Sequence, residues 1–238
     1  VYKRQAKKAC KICVAYEGME KFFPVEKIIM TGNPVRQNLL EHSISHKKAA
    51  DYFGLNPAKK TILILGGSLG ARTINQTLTE GLEIIRNNPD IQFIWQTGKI
   101  YIEQVRDAIT TVTGETVHHP HINAIPNLYV TDFIKDMASA YSVADLVISR
   151  AGAGSISEFC LLRKPVILVP SPNVAEDHQT KNALALVNKD AAIYVKDSEA
   201  KNRLLPVALE TIANAEKLES LSDHIAKLAL PDSAIIIA

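Results

Sequence analysis

The sequence predicts an α/β protein built on a doubly wound parallel sheet, and three observations carry that expectation. Short apolar, often β-branched runs recur along the chain, each of the length of a buried strand. Amphipathic stretches with helical spacing lie between them. Glycine-rich or polar turns follow several runs directly, as loops do at the carboxyl ends of parallel strands. Repeated strand–helix–strand order implies right-handed crossovers within one sheet.

The first two runs are Lys11–Ala15 and Lys27–Thr31. They precede Gly32-Asn33-Pro34, which is turn chemistry with φ fixed at Pro34. Together they make a strand–helix–strand piece too small to bury a core alone. Residues 1–32 therefore read as the tail of one domain, and residues 33–238 as an α/β domain of its own. Thr61–Leu65 opens the second domain, with Ile74, Leu78, Leu82 and Ile85 following on one helical face. Ile91–Trp95, Tyr129–Phe133, Asp145–Ser149, Val166–Val169 and Ala192–Val195 are the remaining strand candidates. Lys201–Ala229 reads as two helices, with Pro206 tolerable near the start of the first. The chain starts at Val1 and stops just after Ile235-Ile236-Ile237, as expected of part of a longer protein.

Composition narrows the function classes. The 238 residues are 47% hydrophobic and 22% charged, an ordinary globular balance. A net charge of +2 is too near neutral to make nucleic acid the main partner. No run approaches the roughly 18 apolar residues of a membrane span. Cys10, Cys13 and Cys160 make an odd count, and the C-x-x-C has neither a strand leading into it nor a second pair. Structural thiols in a reducing cytoplasm are expected ahead of a redox or zinc site. His118-His119-Pro120-His121 lacks a flanking acid or cysteine, so it reads as a surface loop rather than a metal site. The basic opening Lys3, Arg4, Lys7, Lys8 and Lys11 suits a solvated helix face, with approach to an anionic membrane as the alternative.

Three loops carry the chemistry. Gly66-Gly67-Ser68-Leu69-Gly70 lies between a strand and a helix, where backbone N–H groups and a helix N-terminus can hold a phosphate or diphosphate. A tight turn with no ligand is the alternative. The loop is neither G-x-x-x-x-G-K-[ST] nor G-x-G-x-x-G, which argues against a P-loop and a dinucleotide site. The next strand ends in Gln96-Thr97-Gly98, without the acid that a dinucleotide ribose would want. The second loop, Ala151-Gly152-Ala153-Gly154-Ser155, lets Ser155 cap a helix carrying Glu158 in its first turn. Ser-x-x-Glu is also the capping-box signature, so Glu158 reads either as a ligand group or as a capping acid. The third is Glu176 to Asn182, after the strand bounded by Pro165 and Pro170, where Asp177 can be a helix N-cap. All three sit at carboxyl ends of expected strands and converge on one sheet edge.

"GNPVR", "ILGGSLGARTINQ", "FIKDMASAYSVADLVISRAGAGSISE" and "PVILVPSPNVAEDHQTKNA" together resemble the MurG family of bacterial glycosyltransferases. Its members move N-acetylglucosamine from UDP-GlcNAc to undecaprenyl-pyrophosphoryl-MurNAc-pentapeptide (lipid I), making lipid II for peptidoglycan. The resemblance covers most of the chain and implies the two-domain GT-B fold, with the donor in a Rossmann-like C-terminal domain. It makes residues 1–32 the end of the acceptor domain and 33–238 the UDP-GlcNAc-binding domain, its last helix cut short near Ala234. By position it implies donor contacts at Arg36 and Ser68, the latter near the diphosphate with Gly66, Gly67 and Gly70. Ile134 matches a uracil-contacting position, Ala153, Gly154 and Ser155 line the nucleotide, and Glu158 matches the acid on the ribose hydroxyls. Gln179 matches a sugar-contacting glutamine, with Asn182 close by on the same helix. Gly154 replaces a larger residue of some relatives, which leaves that contact to backbone alone.

The resemblance also implies a peripheral enzyme of cell-wall biogenesis, cell shape and cell division, on the cytoplasmic face of the bacterial inner membrane. Neither a cofactor nor a metal is expected. The general base is expected in the acceptor domain, so no catalytic residue is assigned here and this piece is expected to be inactive alone. Two other readings stay open: a UDP-GlcNAc epimerase, and the donor-binding module of a split transferase. The first needs cleft acid–base residues that are not identifiable. The piece before Gly32 reads as the end of a fused domain, which argues against the second.

Overall fold

The computed structural model describes residues 5–15, 18–36, 39, 44–67, 69–116, 122, 124–172 and 177–238. Ser68, Glu176 and the His118–His121 cluster lie outside these described residues. β1 (Ile12–Val14) and β2 (Ile28–Met30) form a parallel pair of their own, with Ile12 opposite Ile28. The described chain between them makes two single 3₁₀ turns, Met19–Lys21 and Val25–Lys27, rather than the α-helix expected. Gly18 at φ 81° and Pro24 flank the first turn and stop it from lengthening.

The remaining six strands form one all-parallel sheet. They are β3 (Lys60–Leu65), β4 (Ile91–Gln96), β5 (Leu128–Thr131), β6 (Leu146–Ser149), β7 (Val166–Leu168) and β8 (Ile193–Tyr194). Each lies within two residues of its expected bounds. Their spatial order is β5-β4-β3-β6-β7-β8, so the chain starts at the centre, winds outward, then returns to wind the other way. This is the order of a doubly wound nucleotide-binding sheet, and the reversal falls between β3 and β6.

Side-chain alternation along each strand divides the core into two layers. Ile62, Ile64, Phe93 and Trp95 face one layer, with α2 (Arg72–Glu80), α3 (Leu82–Arg86), α4 (Ile102–Thr113) and α8 (Ala200–Ala213). Leu63, Leu65, Ile94 and Val147 face the other. There they meet α1 (His46–Phe53), α5 (Met137–Val143), α6 (Ala153–Leu161), α7 (His178–Val187) and Ile225 of α9 (Ala215–Ala226). A short α10 (Ser233–Ile237) follows.

Two helical expectations change. Ile74, Leu78, Leu82 and Ile85 do share one buried face, but the helix breaks between α2 and α3 at Gly81. A Cβ at Gly81 would lie 2.1 Å from Leu205 Cδ1, so a larger residue there would make the Leu205 side chain on α8 shift. Pro206 lies in the interior of α8, not near its start. It faces solvent, where water can satisfy the Asn202 carbonyl that its missing N–H leaves unpaired.

Cys10 and Cys13 are exposed thiols, while Cys160 lies on the buried face of α6, where desolvation pushes its thiol up to about 11. None of the three is in a disulfide.

Candidate functional site

At the reversal point the carboxyl ends of β3 and β6 lie side by side, with Leu65 opposite Ser149. A cleft of about 820 Å³ opens above them. Its walls include Arg36, Gly66, Gly67, Gly70, Ile134, Ser155, Glu158 and Gln179 from the expected set. Ala153, Gly154 and Asn182 stand beside the cleft rather than in its wall.

The first glycine loop is shaped by glycine at several points. Gly66 N–H donates to the Gln96 carbonyl (3.1 Å) and Gly70 N–H to that of Gly67 (3.2 Å). Gly67 and Gly70 have φ of 74° and 82°. Gly70 nests against the turn after β4, where Gly98 also has positive φ (81°). A Cβ on Gly98 would sit 2.4 Å from Gly70 N, and one on Gly70 would sit 2.5 Å from the Thr97 carbonyl. Two glycines thus interlock at backbone distance. Asn75 then pins the following helix, donating to Thr97 O (2.8 Å) and accepting from Trp95 Nε1 (2.9 Å). The first-turn N–H groups of α2 have no intrahelical acceptor and no side-chain cap. Arg72 and Thr73 of that turn line the cleft.

The second loop is shorter than expected. α6 begins at Ala153 with Gly152 at its N-cap, so Ala153, Gly154 and Ser155 form its first turn. Ser155 therefore does not cap the helix, and Glu158 lies beyond the first turn. The capping-box reading fails on this geometry. Glu158 instead pairs with two side chains of the cleft wall: Oε1 accepts from Arg36 Nε (3.0 Å) and Nη2 (2.9 Å), and Oε2 from the Tyr141 hydroxyl (2.7 Å). Burial, then the Glu158 charge, holds the Tyr141 phenol far above its usual range, so it remains a donor. Arg36 is half exposed, so its ion pair adds little stability. Asn33 of the same segment donates to Ser157 Oγ (3.1 Å), laying residues 33–36 along α6.

Ile134 is buried, and its N–H donates to Gln96 Oε1 (2.9 Å), which fixes the loop between β5 and α5. Gln179 Oε1 accepts from Ser171 N–H (2.9 Å), leaving its amide nitrogen as the donor end. Asn182 donates to the Ala151 carbonyl (3.2 Å) and so steadies the second loop from behind. Asp177 takes the N-cap position of α7, as expected. Its φ of 52° goes with no side-chain cap bond, so only the position holds.

Sequence reasoning missed a polar clamp between the two glycine loops. Asp197, just past β8, accepts from Thr73 Oγ1 (2.8 Å) and from Arg150, the residue directly before the second loop. Arg150 also donates to the Val169 (2.9 Å) and Pro170 (3.2 Å) carbonyls. The signal was available, because Asp197 stands at the carboxyl end of a strand like the other loops. Both partners are largely buried. Asp197→Ala is expected to cost about 2–4 kcal/mol of stability and to weaken ligand binding by loosening both loops. Asp197→Asn, which keeps the Thr73 acceptor, should lose less. Urea denaturation checks the order, and unchanged stability of the alanine variant would show that the clamp is idle.

The Glycosyltransferase family 28 C-terminal domain matches residues 61–234. The chain belongs to glycosyltransferase family 28. Within family 28, this chain is 74% identical over 233 residues to a Bacteroides fragilis protein named UDP-N-acetylglucosamine--N-acetylmuramyl-(pentapeptide) pyrophosphoryl-undecaprenol N-acetylglucosamine transferase. That match covers 98% of this chain and 59% of the relative. The same-named protein of Bacteroides thetaiotaomicron is 69% identical, over 98% of this chain and 60% of its own length. The chain thus spans about three fifths of the curated relatives it matches. The crystal structure of Acinetobacter baumannii MurG superposes with a TM-score of 0.70 at 27% identity, covering 99% of this chain and 61% of that one. A Neisseria meningitidis UDP-GlcNAc 2-epimerase bound to UDP-GlcNAc shares the fold, with a TM-score of 0.61 at 17% identity over 92% of this chain and 56% of that chain.

Proposed function

We propose that this chain is the donor-binding half of an enzyme that transfers N-acetylglucosamine from UDP-GlcNAc to lipid I, forming lipid II for peptidoglycan. One observation carries the reading: the Gly66–Gly70 loop, Glu158 and Gln179 line a single cleft at the strand-order reversal. The curated relatives bear that activity in their names.

In this reading the diphosphate lies against the first glycine loop, over the uncapped start of α2, whose first-turn N–H groups and helix dipole favour negative charge. Glu158 accepts from the ribose hydroxyls. Ile134 lies at the uracil end, its N–H already given to Gln96. Gln179 serves the sugar side, with Asn182 behind it holding the second loop through the Ala151 carbonyl. Arg36 lines the cleft with Glu158 as its partner, so a donor that engages Glu158 also meets this guanidinium. As the glycosidic bond breaks, charge grows on departing UDP, and the same N–H groups then stabilise the transition state as well as the ground state. No residue of this chain is assigned as general base. Residues 1–32 belong, on this reading, to the acceptor half and 33–238 to the donor domain.

The acceptor is lipid-linked, so we place the whole enzyme peripherally on the cytoplasmic face of the bacterial inner membrane. No helix among the described residues is long and apolar enough to cross a membrane. The expected result is that the purified chain binds UDP and UDP-GlcNAc by calorimetry but does not glycosylate a lipid I analogue. Absence of UDP binding by the folded chain would sink the donor assignment. Robust turnover by the chain alone would sink the division of labour.

A further inference from the structure

We propose that Tyr141 is a positioning residue of the donor site, its phenol hydroxyl aiming the Glu158 carboxylate at the ribose; this rests on the ribose role given to Glu158 above. A carboxylate offers about four acceptor positions. Arg36 Nε and Nη2 fill two of them, both on Oε1, and Tyr141 fills one on Oε2. The position left open is on Oε2, and Tyr141 decides where it points.

The two partners of Glu158 differ in kind. Arg36 is half exposed on a long flexible side chain, so it can swing away when ligand arrives. Tyr141 is 2% exposed and its ring packs edge-on against Phe159 (6.1 Å, 79°), the residue next to Glu158. Its hydroxyl cannot leave without stranding a buried donor. The rigid partner therefore sets the carboxylate geometry, while the mobile one balances its charge.

Tyr141 also joins two parts of the site. It sits on α5, whose N-cap Asp136 follows Ile134 by two residues and accepts from Ser139 N–H (3.0 Å). The loop assigned to the base and the acid assigned to the ribose are thus held in one register through a single phenol.

A buried tyrosine that merely satisfies its own hydroxyl would affect folding without reading the ribose. Tyr141→Phe keeps the ring and its packing, so the fold should survive. UDP affinity should fall by about three- to tenfold. Affinity for 2′,3′-dideoxy-UDP, which lacks both hydroxyls, should not change. In a Glu158→Ala background, Tyr141→Phe should have no further effect on UDP binding. Equal loss for UDP and the dideoxy ligand would overturn the positioning role, as would unchanged UDP affinity while Glu158→Ala remains harmful. If Glu158→Ala itself leaves UDP affinity intact, the ribose assignment fails first and takes this proposal with it.

Discussion

Replacing Glu158 by alanine is expected to weaken UDP binding by about tenfold to a hundredfold, because charge-assisted hydrogen bonds contribute roughly 1.5–3 kcal/mol. Glu158→Gln keeps the size and one acceptor and should lose less. The alanine variant also strands the buried Tyr141 hydroxyl, so some stability will go with the affinity. Binding must therefore be measured well below the unfolding transition. 2′-Deoxy-UDP separates the two effects. If Glu158 contacts the 2′-hydroxyl, the deoxy ligand and the substitution should be clearly non-additive. Full additivity, or unchanged UDP affinity in the folded variant, would remove Glu158 from the ribose.

Gly98→Ala should be at least as damaging, although no ligand contact is proposed there. The new methyl would meet Gly70 N at 2.4 Å and Gly70 Cα at 2.6 Å, at a residue whose φ is 81°. These neighbours are backbone and cannot swing aside. Left-handed strain and overpacking together should cost about 2–4 kcal/mol, or else displace the loop. If the loop moves, UDP affinity should drop by about tenfold or more with less loss of stability. Denaturation and calorimetry on one sample distinguish these routes. A variant normal in both would mean that the two glycine turns do not interlock in solution.

The fold was legible because its signals are local and repeated. Ile62 to Leu65 and Phe93 to Trp95 read as buried strands from their own residues, and every expected strand is present. Errors arose where a distant residue decides a local shape. The helical pattern runs through Gly81, yet the helix breaks there, beside Leu205 from far along the chain. Pro206, expected near a helix start, lies instead in the interior of α8 on its solvent side.

The site was legible in part. The glycine loops announce themselves, and Glu158 stood out, although its capping alternative could be judged only once α6 was seen to start at Ala153. Tyr141 had no local mark, since it occupies the buried face of a helix that reads as plain core. Its importance lies in one oxygen, and nothing in its own neighbourhood of sequence shows where that oxygen points. Arg150 and Asp197 likewise act across 47 residues.

The strand order has a consequence for how the molecule assembles. β3 and β6 are neighbours, with Ile62 opposite Leu146, although more than 80 residues separate them. A chain emerging in sequence order completes β3, β4 and β5 first, a half-sheet that already holds the glycine loop. The opposite wall exists only after β6 docks against β3, and its support from Asp197 only after β8 has passed. Such non-local pairing pays its loop-closure entropy before any contact rewards it, so it belongs to the slow part of folding. Nucleotide capture should accordingly be a late event, absent from any species in which only the first half-sheet has formed. Ligand that binds only the finished sheet pulls the whole folding equilibrium toward it by mass action.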